Sequence, residues 1–137
     1  MTKDIWINLP VKNLNKSREF FSAIGFPLNS RHVNSDEMAS LVVGDKNVIV
    51  MLFPEATFEK YTSIKIADTK QGSEVLFSIG ADSKEEVDEM VSRVEQAGGT
   101  IYSRPVDQGW MYGAAFVDLD GHRWNVLYMD TSKMPVE

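Results

Sequence analysis

The order strand, helix, strand, strand, strand occurs twice in this chain, and that repetition narrows the folds open to it more than any single motif. In the first half, Ile5, Ile7, Leu9 and Val11 alternate with Trp6 and Asn8, as on a strand with two different faces. Pro10 has no amide donor and marks the end of that strand. Asn13 is placed to cap a helix on which Leu14, Ser17, Phe20, Phe21 and Ile24 form an apolar stripe. Gly25 stops the helix and Pro27 prevents its resumption. Three strands are then expected: Phe26 to Arg31, Met38 to Val43, and Val48 to Phe53 after a turn at Asp45-Lys46-Asn47.

The second half repeats the order. Glu74 to Gly80 alternates, with Val75, Phe77 and Ile79 on one face and Glu74, Leu76 and Ser78 on the other. Ser83-Lys84-Glu85-Glu86 is a capping box, its hydroxyl and carboxylate each meeting an exposed backbone amide. Val87, Met90, Val91, Val94 and Ala97 make the helical stripe, and Gly98-Gly99 ends it. Strands are expected at Thr100 to Arg104, Tyr112 to Asp118 and Arg123 to Met129, the last two joined by the turn Leu119-Asp120-Gly121-His122. Between the halves, Pro54 to Gly72 is polar and dotted with aromatics. It is read as a connection with a short helical turn near Phe58 to Tyr61, or as a lid.

This pattern predicts an α+β fold in one domain over residues 1–137, with βαβββ modules at about 4–54 and 72–130. A helix covers only one face of its sheet, so the other must close against something. Two such modules facing each other would enclose a trough lined by Trp6, Asn8, Glu74 and Leu76, part apolar and part polar, as small-molecule sites are. In a ferredoxin-like sheet the same residues would instead lie on the surface. With 14 basic against 20 acidic residues and a net charge of −6, the chain shows no basic footprint for nucleic acid. It has no apolar run long enough for a membrane span and no signal-peptide pattern at its N-terminus, so the cytoplasm is expected. The absence of cysteine removes thiol nucleophiles, disulfides and zinc knuckles. There is no phosphate-cradling glycine loop and no Ser/His/Asp arrangement.

The stretch Asn8-Leu9-Pro10-Val11-Lys12-Asn13-Leu14, with Phe20-Phe21 and Ile24-Gly25-Phe26, resembles the opening of the vicinal oxygen chelate (glyoxalase/bleomycin-resistance/dioxygenase) superfamily. Phe116-Val117-Asp118-Leu119-Asp120-Gly121-His122-Arg123-Trp124 resembles its closing hairpin, F-x-D-P-D-G, with Leu119 in place of the proline. The surroundings of Met38, Met51, Glu74-Val75-Leu76 and Trp110-Met111-Tyr112-Gly113 look like a subgroup labelled predicted lactoylglutathione lyase. The resemblance implies paired βαβββ modules, a small-molecule ligand and a homodimer. In many members it also implies a divalent metal that polarises a substrate with two adjacent oxygens.

Residue by residue, the family's four ligand positions fall on Trp6, on Val50 or Met51, on Glu74 and on Asn125. An indole and an aliphatic or thioether group are poor donors to a divalent ion, an amide offers one neutral oxygen, and one carboxylate is too few. No cofactor is therefore expected, and a divalent metal stays open only with a degenerate ligand set. His32 and His122 sit in or near turns and are read as solvated. Glu74 is the candidate catalytic residue, as a general base or a partner for a cationic group; the plainer reading is a strand-start carboxylate paired with Lys or Arg. Trp6, Asn8, Met51, Tyr112 and Asn125 are the candidate substrate-binding residues, Trp6 either as a stacking platform or as a plug where a metal would sit. Three functions stay open: a glyoxalase-like lyase moving a proton without the usual metal, a non-catalytic protein that sequesters a drug or metabolite, and an enzyme using a metal at a site in a different register.

Overall fold

Alternation decides the first sheet. In the computed structural model, which describes residues 1–29 and 35–135, β1 (Trp6–Val11) runs parallel to β3 (Val48–Pro54), and β2 (Ala39–Val43) runs antiparallel to β3, in the order β1-β3-β2. The register pairs Leu9 with Leu52 and Leu41 with Val50, so these side chains share one face. They are buried there with Val11 and Ala39 under α1 (Leu14–Ala23), which contributes Leu14, Phe20 and Phe21. Each large side chain taken fully out of water stabilises this packing by roughly 1.5–3 kcal/mol. Asn13 caps the helix as expected, accepting from Lys16 N at 3.0 Å, and Gly25 follows it at a φ of 107°.

Of the strand expected at Phe26 to Arg31, the described residues show one bridge, Leu28 to Leu41, between the bonds Val42 N to Pro27 O and Asn29 N to Ser40 O, both 2.9 Å. Pro27 cannot donate, so the ladder is short on that side. Arg31 and His32 lie outside the described residues. The connection after β3 is better ordered than its composition suggests: α2 (Glu55–Thr62) is a two-turn helix. Glu55 in its first turn and Lys60 in its last suit the helix dipole, and Ser63 ends it at a φ of 60°.

The second unit, Thr69–Glu137 as against Met1–Asp68, carries the complete βαβββ order. It comprises β4 (Leu76–Gly80), α3 (Lys84–Gln96), β5 (Thr100–Asp107), β6 (Met111–Val117) and β7 (Arg123–Met129). The sheet order is β4-β7-β6-β5, with β4 parallel to β7 and the other pairs antiparallel. Val87 and Val91 of α3 pack on Ala114 and Val126, with Ile79, Met90, Ile101 and Tyr128 around them. Ser83 Oγ accepts from Glu86 N at 3.1 Å, which makes the hydroxyl half of the capping box, while the Glu86 carboxylate accepts from the amide one residue ahead of the cap, Asp82 N, at 2.7 Å. β5 outruns its expected end at Arg104. It is an edge strand, and two register shifts let it pass Pro105 without losing its partner. The three helices and seven strands among the described residues make an α+β fold of two modules. No described helix is long and apolar enough to cross a membrane.

Candidate ligand site

The face of the first sheet opposite α1 carries the site. Trp6 pairs with Ile49, Asn8 with Met51 and Pro10 with Phe53, so Trp6, Asn8, Met51 and Phe53 share that face. The same register settles Val50 against Met51. Val50 is buried on the α1 side, whereas Met51 stands beside Asn8. A cavity of about 380 Å³ lies over this face, lined by Trp6, Asn8, Met38, Phe53, Phe58, Tyr61 and Thr62. β1 supplies the indole and the carboxamide, and β3 supplies Phe53. The residue before β2 supplies a thioether, and α2 supplies the remaining wall.

α2 is held over the sheet by its aromatic residues. Phe58 and Tyr61 are three apart and so lie on one side of the helix. Tyr61 meets Phe53 edge-to-face, with ring centroids 5.4 Å apart at 74°. Glu59 ties the following chain back, its carboxylate accepting from Ile66 N at 3.0 Å. On the other side Arg18, 7% exposed, anchors the Met38 wall. Its guanidinium donates to Asn15 Oδ1 at 2.8 Å, to Met38 O at 2.8 Å and to Ser35 O. Trp6 is 59% exposed, so the cavity is accessible at the end of β1.

The other expected site residues are placed differently. Glu74 lies exposed on a bend ahead of β4, which begins only at Leu76, because the ladder to β7 starts with the pair Leu76 and Arg123. Asn125 pairs with Ser78 and donates to its hydroxyl at 3.2 Å, on the sheet face away from α3. Tyr112 is two and four residues from Ala114 and Phe116, so it falls on the α3 face and not beside Asn125. Strand alternation separates the two residues that were expected to line one pocket.

Tyr112 belongs to a second cleft of about 270 Å³, with Ser83, Lys84, Trp110, Tyr128 and Asp130. Its hydroxyl donates to Asp88 Oδ1 at 2.6 Å, which holds the phenolic proton and raises its pKa. Lys84 bonds Asp107 at 2.9 Å; the bond raises the pKa of the ammonium and lowers that of the carboxyl. Two cations of this cleft have counter-charges, Lys84 in Asp107 and Lys133 in Asp130 at 3.9 Å.

The closing hairpin is structural. Asp118, 6% exposed, accepts from Asp120 N and His122 N at 3.0 Å each and from Trp124 Nε1 at 3.1 Å. Burial pushes its carboxyl above the usual range, against the opposing pull of His122 and of these bonds. Gly121, at a φ of 89°, turns the chain directly against the Thr69 hydroxyl, which donates to Asp120 O at 2.8 Å.

The residues at the four positions where the family resemblance would set metal donors do not fit a divalent ion. Trp6 offers no lone pair, Met51 a soft thioether and Asn125 one neutral amide oxygen, its nitrogen donating to Ser78, which leaves Glu74 as the single carboxylate. Among the described residues no three His, Asp or Glu side chains are grouped as a metal site.

Two sheets, each with a helix on one face, the first in the order strand, helix, strand, strand with a bridge at Leu28 and the second in the full βαβββ order, define a duplicated α+β architecture. The chain belongs to the Glyoxalase/Bleomycin resistance protein/Dioxygenase superfamily, whose family model matches residues 5–126. Among solved structures it is similar to hypothetical protein SA1046 from S. aureus, at 34% identity and a TM-score of 0.82, covering 93% of this chain and 94% of that one. A glyoxalase-related enzyme from Fulvimarina pelagi shares the fold at 14% identity and a TM-score of 0.77, over 93% and 88% of the two chains. The fosfomycin resistance protein FosX from Listeria monocytogenes does so at 20% identity and 0.67, over 97% and 98%. No curated protein matches the chain.

The cavity residues Phe53, Phe58, Tyr61, Thr62 and Met38 were not among the expected site residues. The available signal was the spacing of Phe58 and Tyr61 on a helix that directly follows a strand ending in Phe53-Pro54.

Proposed function

We propose that this protein binds and sequesters a small, mainly apolar molecule in the cavity between β1, β3 and α2, and that it does so without a resident metal. The observation that carries this reading is the lining itself: four aromatic side chains and a thioether around one carboxamide, in a volume suited to a small molecule. Resistance proteins share this fold, and sequestration needs only such a cavity. A lyase reading would rest on Glu74, whose exposed position on a bend lacks the enclosed, water-poor surroundings that proton abstraction from a bound substrate relies on. Homodimer formation and a cytoplasmic location belong to the same proposal.

The test is a thermal-shift and NMR screen of planar and amphipathic small molecules, with Trp6→Ala and Phe58→Ala as controls. A molecule that binds the native state at one hundred times its Kd adds about 2.7 kcal/mol of stability, and either substitution should remove most of that gain. Uniform silence, or binding indifferent to both substitutions, would reject the proposal. Turnover of the hemithioacetal of methylglyoxal and glutathione that Glu74→Gln abolishes would replace it with the lyase reading.

A further inference from the structure

The cavity's lining is specific enough to name a class of occupant, an inference that rests on the ligand-site reading above. Trp6, Phe53, Phe58 and Tyr61 present ring faces and edges, and Met38 a polarisable sulfur that packs well against aromatic rings. These groups favour a flat, aromatic guest. A volume of about 380 Å³ is near the low end of the roughly 300–1,000 Å³ usual for ligand pockets, which suits a fused bicyclic ring system.

Charge is selected against. Among the described lining residues there is no Lys, Arg, Asp or Glu. An anion would shed water without gaining a counter-charge, which is costly, and a cation would gain only ring faces, a modest return at an exposed site such as Trp6. Anions are further opposed by the chain's net charge of −6.

The polar groups then specify the guest's edge. Thr62 Oγ1 donates to Ile64 O at 3.1 Å, so its hydrogen is already used. The Asn8 carboxamide makes no hydrogen bond with the other described side chains or backbone, although it stands on a sheet face between Trp6 and Pro10. A carboxamide presents a donor and an acceptor side by side. Its best complement is a guest with an adjacent acceptor and donor of its own. We therefore infer that the site selects uncharged planar heterocycles carrying a lactam-type edge, stacked among the aromatic rings and read in a bidentate fashion by Asn8.

The probe is 2-quinolone, a neutral bicyclic lactam. It is compared with N-methyl-2-quinolone, which lacks the donor, with quinoline-2-carboxylate and with N-methylquinolinium. Binding is followed by NMR of 15N-labelled protein through the Asn8 carboxamide and the Trp6 indole N–H. The expected order places 2-quinolone at least ten-fold tighter than the other three, with both reporters shifting. Asn8→Leu, on an exposed strand position where it leaves the fold intact, should remove the difference between 2-quinolone and its N-methyl analogue. Equal binding of those two to the wild type, or a difference that survives Asn8→Leu, overturns the edge assignment. Tighter binding of the carboxylate or the quinolinium at Trp6 overturns the charge assignment while leaving the cavity as the ligand site. If none of the four probes shifts Trp6, the class inference fails; the broader screen with Trp6→Ala and Phe58→Ala then decides separately whether the cavity is a ligand site at all.

Discussion

Replacing Asp118 by alanine should cost the protein about 2–4 kcal/mol, about half of it from one indole. The carboxylate accepts three hydrogen bonds: from Asp120 N, from His122 N and from Trp124 Nε1. The two backbone donors lie in a partly exposed turn where water can reach them, and each forfeits only the net worth of a bond, roughly 0.5–1.5 kcal/mol. Trp124 is 1% exposed and packed between Phe77 and Phe116, so its N–H would stay dry and unpaired, at roughly 1–3 kcal/mol. Against this, alanine removes a carboxylate that burial disfavours in its charged form, which recovers part of the loss. With an unfolding entropy of about 2.1 cal/mol/K per residue over 137 residues, the net cost corresponds to a fall in Tm of about 7–14 °C. Circular dichroism and tryptophan fluorescence melts would measure it. Asp118→Asn keeps an acceptor for the turn but turns an amide donor toward the indole, so its loss should be smaller than that of alanine and still measurable. A loss under about 1 kcal/mol for alanine, or an asparagine variant as stable as the wild type, would refute the assignment of the cost to the buried indole.

The same carboxyl has a raised folded pKa, so its contribution is fully present below its unfolded value of about 3.9 and is lost as pH rises through the folded value. The stability of the wild type relative to Asp118→Asn should therefore decline across that window and then level off; a difference that grows with pH contradicts the burial argument. Arg18→Met should lower stability by about 1–3 kcal/mol, because the charged bonds to the Ser35 and Met38 carbonyls go. It should also weaken 2-quinolone binding through the loosened Met38 wall, with Arg18→Lys recovering only part of both; unchanged binding would exclude Arg18 as a positioning residue. Gly121→Ala should destabilise by more than about 1 kcal/mol, since the backbone is left-handed there and the added carbon meets the Thr69 side chain. Pairing it with Thr69→Ala in a melting experiment should return part of the loss, and no recovery would place the strain in the backbone alone.

The two module patterns were legible because local physics writes them. Period-two alternation placed Leu9 and Val11 on one face and Trp6 and Asn8 on the other, and the register of β1 on β3 agrees. Asn13 and Ser83 start their helices through their side chains, and Gly25 and Gly98 stop them through their freedom at positive φ. The family was legible in the two end motifs. The closing motif proved to be a buried carboxylate holding a turn and an indole, which is why a short string of residues marks the fold so well.

Other features depended on partners that only pairing supplies. Whether Val50 or Met51 faces the site was undecidable by one residue along the chain, yet a one-residue step reverses every side chain, and only the pairing of Asn8 with Met51 resolves it. Glu74 drops out of the strand because β7 offers its first partner to Leu76, and Tyr112 leaves Asn125 because β6 turns it toward Asp88 on α3. The cavity itself joins residues 6, 8, 38, 53, 58, 61 and 62, brought together by a parallel strand pair and a short helix. Sequence alone determined what each segment prefers to be and which face it would bury. Tertiary structure decided which faces meet, because a contact between distant segments depends on strand register and packing, and neither is encoded in the residues of a single segment.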